Sequence, residues 1–184
     1  LFHIFLHLAG MANEDIQLGV IQCLCLWKDV EYIIPYRSQL ETIIRDARVR
    51  TPLTEFPLLV SKGVIAPGHR ADLIPLITRL LFPKLTLSKA DAGRRGAVLA
   101  YLAQCEPSEL KTLFKLTLGQ FDAFLQKTRD QLKKSKTALL NIEGVAPPQT
   151  LSLGQITGSL RMIYDMVKSM GVAIQSYLPD MVAI

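Results

Sequence analysis

The sequence predicts an all-α protein, an irregular α-solenoid built from antiparallel helix hairpins. Three observations carry that prediction. Apolar residues recur at spacings of three and four in one segment after another, the signature of amphipathic helices. The chain of 184 residues is 49% hydrophobic but only 7% aromatic, so its core is aliphatic, as packed helices prefer. An internal echo is also present. GVIQCLCLWKDVEYIIPYRSQLETII and GSLRMIYDMVKSMGVAIQSYLPDMVAI share a layout of small residue, aliphatic helix, short turn and proline-bearing helix. Such units about 140 residues apart, with divergent material between, suit stacked repeats.

The first residues, Leu1 to Ala9, read as the tail of a helix, with Gly10 closing it through the left-handed conformation glycine tolerates. Asn13 is placed to cap the next helix, with Glu14 and Asp15 near its positive end. Ile16, Val20, Cys23, Leu24 and Trp27 form its apolar face. A turn at Asp29 to Glu31 leads to a helix carrying Ile33, Tyr36, Leu40, Ile43, Ile44 and Ala47. Neither helix can bury its face alone, so the pair is expected to pack as a hairpin against neighbours.

Thr51-Pro52 is a helix opening, a capping hydroxyl before a proline at the first helical position. A short helix is expected over Leu53 to Val60, with Pro57 awkward inside it. Gly63 and Pro67-Gly68 bracket a turn. The helix His69 to Leu85 then buries Leu73, Leu76, Ile77, Leu80 and Leu81. Pro75 removes one amide donor, so a kink is expected, or a helix that starts there. Ser88 and Asp91 have the spacing of a capping box before Ala92 to Cys105, which buries Val98, Tyr101, Leu102 and Cys105. Pro107 to Phe121 continues with Leu110, Leu113, Phe114, Thr117, Leu118 and Phe121 on one side.

Residues 127–150 are a basic stretch followed by a linker at Pro147-Pro148. Ser152 and Gln155 make another capping box. The following helix is expected to bury Ile156, Leu160, Ile163, Tyr164 and Val167 and to stop at Gly171. A last helix carries Ile174, Leu178, Met181 and Val182, with Pro179 inside. The organisation expected is residues 1–126 as helix pairs, 127–150 as connection and 151–184 as a further pair. Both ends are apolar, and the chain reads as a piece of a longer solenoid.

The wording is informative beyond its periodicity. YIIPYRSQLETIIRD resembles the second helix of a HEAT repeat. IIPYRSQLETII, HRADLIPLITRLLFPKL and GRRGAVLAYLAQCEPSELKTLFKLTL together resemble the down-regulated-in-metastasis domain. That domain belongs to the giant HEAT-repeat scaffold of the small-subunit processome. His69, Arg70, Ala71, Asp72, Leu73, Pro75 and Arg79 are the distinctive core of the match. The resemblance implies a HEAT-like, non-enzymatic scaffold in the nucleolus, acting in 18S ribosomal RNA processing and small-subunit assembly. It implies processome proteins, pre-ribosomal RNA and the U3 small nucleolar RNA particle as partners, and no cofactor. A nuclear transport or adaptor solenoid that binds protein segments is the alternative.

The net charge of +5 and pI of about 9.2 are compatible with a nucleic-acid partner. Arg70 at one helix start and Arg94 and Arg95 at the next are candidate phosphate contacts. Lys127, Arg129, Lys133, Lys134 and Lys136 form the larger basic cluster. Phosphate contacts need only positive charge within reach. Cys23, Cys25 and Cys105 lack the spacing of a disulfide framework or a zinc site and are expected to be buried or half-buried thiols. His3 and His7 stand four apart but lack a third ligand. No phosphate-cradling glycine loop or nucleophile elbow is present, and no apolar run approaches the ~20 residues of a membrane span.

Overall fold

The computed structural model describes residues 2–45, 50–86, 92–121 and 153–182. Among these the chain is helical throughout, with no strand. The α-helices are α1 (Phe2–Ala9), α2 (Glu14–Cys25), α3 (Arg37–Arg45), α4 (Arg50–Glu55) and α5 (Pro67–Thr86). They continue with α6 (Ala92–Leu102), α7 (Lys111–Leu118), α8 (Leu153–Met170) and α9 (Leu178–Val182). Tighter 3-10 turns join several of them. These lie at Lys28–Tyr36, Val60–Lys62, Pro107–Leu110, Gly119–Phe121 and Gly171–Tyr177.

Helix α5 is the hub. Leu73, Ile74, Leu76, Ile77, Leu80, Leu81 and Leu85 are all buried, so the helix is apolar on nearly every side, the mark of one enclosed by neighbours. It packs against α1, α3, α6, α7 and α8. Each buried leucine or isoleucine contributes about 2 kcal/mol of transfer free energy. The helix does not begin at Pro75. It runs unbroken from Pro67 through both Pro75 and Pro83, and Gly68 lies inside it. The carbonyl that Pro75 deprives of a donor belongs to Ala71, an exposed residue beside solvent.

The first hairpin forms as expected at its start. The Asn13 side chain accepts from the Ile16 N–H at 2.9 Å. Trp27 is the packing residue of the hairpin, with Phe2 and Phe5 meeting it edge-on at centroid distances of 6.1 and 5.9 Å. The buried face of α2 is Gln17, Val20, Ile21 and Leu24. Cys23 lies a third of a turn from Leu24 and is exposed, contrary to expectation; Cys25 is half-buried and Cys105 buried. The predicted helix over Ile33 to Ala47 is split. Val30 takes a non-helical backbone and Pro35 lacks a donor, so Lys28–Tyr36 winds as a 3-10 segment before α3. Gly10 ends α1 without entering the left-handed region, which Gly63 and Gly171 do occupy, at φ 63° and 50°.

Helix α4 stops at Glu55, two residues before Pro57, because a residue preceding proline disfavours the α conformation. Leu110, Leu113, Phe114, Thr117, Leu118 and Phe121 are all buried, as their spacing predicts. The echo in the sequence is visible in three dimensions. Both α2 to α3 and α8 to α9 are two α-helices joined by a 3-10 segment. The second unit is bound back to the body by Tyr177, which stacks on Phe114 at 3.8 Å and donates to the Pro107 carbonyl at 2.9 Å.

The expected face of α8 is wrong. Ser159, Met162, Met166 and Met170 are buried, whereas Leu160, Tyr164 and Val167 point outward. Methionine has the freedom to fill the irregular gap against α6 and α7, so the less regular stripe takes the core. The two predicted capping boxes, Ser88–Asp91 and Ser152–Gln155, and the stretch 127–150 lie outside the described residues and side chains.

Candidate nucleic-acid interface

Arg70 and the arginine pair of α6 are the predicted cations whose surroundings the structure describes. Arg70 sits in the first turns of α5 and is buried. Its Nε and Nη2 donate to the two carboxylate oxygens of Glu109 at 2.8 and 2.7 Å. Its Nη1 donates to the Leu58 carbonyl at 2.9 Å. Burial pushes the Glu109 carboxyl up, but the guanidinium and the Glu106 N–H outweigh it and hold the group below its usual range. Arg70 in turn is held above its usual range by the hydrogen bond to Glu109.

Arg70 is therefore no phosphate contact. Every edge of its guanidinium is engaged inside the protein, and its side chain is only 8% exposed. Its role becomes clear from the segment between α4 and α5. That connection is fastened by side chains from elsewhere. Tyr101 donates to the Phe56 carbonyl at 2.8 Å, and Gln104 accepts from the Leu58 N–H at 3.0 Å. Tyr36 accepts from the Ala66 N–H at 3.0 Å and bonds His69 Nδ1 at 3.1 Å. With Arg70 on the Leu58 carbonyl, these contacts satisfy buried backbone groups that have no helix to pair them. His69 and Arg70 thus serve a loop anchor, and their partners come from distant helices.

Arg95 also points inward. Its Nε donates to Asp165 at 2.8 Å, a clip between α6 and α8. Arg94 is partly buried beside it. Lys127, Arg129, Lys133, Lys134 and Lys136 lie outside the described residues. The exposed cations Lys111 and Lys115 of α7 and Arg161 and Lys168 of α8 went unnoticed in the sequence. Their signal was present: each stands at i, i+4 or i, i+7 on its helix, away from the buried positions.

One open groove of about 1010 Å³ runs between α4 and α6. Its walls include Leu53, Leu59, Val64 and Ala97, and its rim carries Arg50 and Lys62. Among the described residues no group of three histidines, cysteines or carboxylates is placed to hold a metal, and no helix is long and apolar enough to cross a membrane. The arrangement offers extended helical surfaces with scattered charge, which bind by shape and sign.

Comparison with known families gives a match over the whole chain. The family described as U3 small nucleolar RNA-associated protein 20, N-terminal, matches residues 1–184.

Proposed function

Because the chain belongs to the family of U3 small nucleolar RNA-associated protein 20, N-terminal, we propose that it is a scaffold segment of the small-subunit processome. In this reading it is no enzyme. It acts in the nucleolus, in 18S ribosomal RNA processing and small-subunit assembly. The observation that carries the reading is the family match along the full chain. The geometry supports it: the polar side chains singled out in the sequence spend their hydrogen bonds on holding helices and a loop together. A rigid stack of this kind works by presenting surfaces.

RNA contacts, in this proposal, fall on the phosphate backbone. Arg94 and the cluster Lys127, Arg129, Lys133, Lys134 and Lys136 supply them. Arg95 contributes only through the field of its ion pair, being committed to Asp165. The test uses the full-length protein in cells. Neutralising Lys133, Lys134 and Lys136 to Gln is expected to lower recovery of U3 RNA after ultraviolet crosslinking and to slow 18S maturation. With the purified protein, the salt dependence of RNA affinity falls by a slope of about 2 for three lost contacts. Unchanged RNA recovery and unchanged 18S levels overturn the proposal.

A further inference from the structure

Helix α8 is apolar on two faces. The methionine face is buried against α6 and α7. The other face consists of Ile156, Leu160, Ile163, Tyr164 and Val167, and its centre is open: Leu160 is 48% exposed, Tyr164 64% and Val167 46%. At 100° per residue these five fall in one stripe about 100° wide. A single exposed leucine needs no explanation, but several large apolar side chains in helical register form a contiguous ridge. Arg161 and Lys168 line one edge of that ridge. Both are exposed and make no ion pair among the described residues.

We propose that this ridge docks an amphipathic helix of another protein, apolar on the contacting face and acidic along the edge that meets Arg161 and Lys168. Charge selects this occupant. A second copy of the chain crossing antiparallel at Tyr164 sets Arg161 opposite Lys168 of the other copy. Like charges face each other there, which costs free energy. The chain's own segment 122–152 carries five basic residues against three acidic ones and meets the same repulsion. RNA matches the two cations, and Tyr164 offers one base a stacking surface, but Ile156, Leu160 and Val167 have no counterpart on a polynucleotide. A helix groove-packed on an aliphatic ridge satisfies both features. This inference rests on the scaffold reading, since it supplies that scaffold with a protein partner.

The experiment places the photoreactive residue p-benzoyl-phenylalanine at Tyr164 in the full-length protein and irradiates the purified processome. Mass spectrometry then identifies the crosslinked peptide. The expected adduct is a segment of a different protein with apolar residues at three-four spacing and a net negative charge. An adduct within the same polypeptide, to a second copy or to RNA, or no adduct, overturns the proposal. Reversing both edge charges, Arg161→Glu with Lys168→Glu, is expected to lower adduct yield roughly tenfold; an unchanged yield overturns it too. U3 RNA recovered in the same preparation reports separately on the scaffold reading, so either can fail without the other.

Discussion

Arg70 and Glu109 are joined through both edges, Nε to Oε1 at 2.8 Å and Nη2 to Oε2 at 2.7 Å, across 39 residues of chain. The pair links the start of α5 to the turn before α7. The same guanidinium holds the Leu58 carbonyl, so one side chain fixes three parts of the fold. A planar fork suits this geometry and a lysine does not.

Removing that fork strands a carboxylate and a carbonyl that have little access to water. Arg70→Ala is expected to cost about 3 kcal/mol of stability, and Arg70→Lys to recover only part of it. Denaturant unfolding measures the loss. Hydrogen exchange at Leu58 and its neighbours reports whether the loop is released. RNA affinity per folded molecule stays at the level of the unaltered chain, which separates anchoring from phosphate contact.

The same pair sets an acid limit. The Glu109 carboxyl titrates below its usual 4.5 when folded. Its contribution to stability is therefore full above the unfolded value and is lost as pH falls through the depressed folded one. Stability measured against pH is expected to decline in that acid window, and Glu109→Gln to flatten that part of the profile.

Thiol chemistry distinguishes the three cysteines. Burial, with the nearby Glu109 carboxylate adding to it, pushes the Cys105 thiol up to about 12. Cys25 is raised mainly by its partial burial, and Cys23 is exposed. Alkylation of the native chain at mildly alkaline pH, read by mass spectrometry, is expected to modify Cys23 first. Cys105 reacts slower by on the order of a hundredfold, until denaturant opens the core.

Two glycines respond in opposite directions. A Cβ at Gly96, inside α6, meets nothing within 4 Å. Gly96→Ala is expected to raise stability by about 0.5–1 kcal/mol, since helix interiors favour alanine. Gly63 has open space as well, but its φ of 63° is left-handed. Gly63→Ala is expected to lower stability by about 1 kcal/mol. Denaturant midpoints of the two variants decide both.

Helix α5 shows how much was readable from residues alone. Leu73, Leu76, Ile77, Leu80 and Leu81 recur at the helical period, and all five are buried. The proline was misread, because a lost hydrogen bond is local while the packing of a helix by five neighbours is not. Helix α8 shows the opposite outcome. Its leucine, tyrosine and valine stripe scores as the core by periodicity, yet the methionine side is buried. One chain holds both stripes, and only the neighbours choose between them.

The helical class, the main apolar faces and the capping by Asn13 follow from composition and spacing, because helices form through contacts three and four residues apart and those are written in order along the chain. The fate of the charges followed a different logic. Arg70 found Glu109, Arg95 found Asp165 across 70 residues, and Tyr101 found Phe56 across 45. Such partners meet when helices stack, and no local pattern encodes the distance between them. An arginine at a helix start looks the same in sequence whether it faces a phosphate or a buried carboxylate; the cost of leaving a charge unpaired inside the fold is what separates the two.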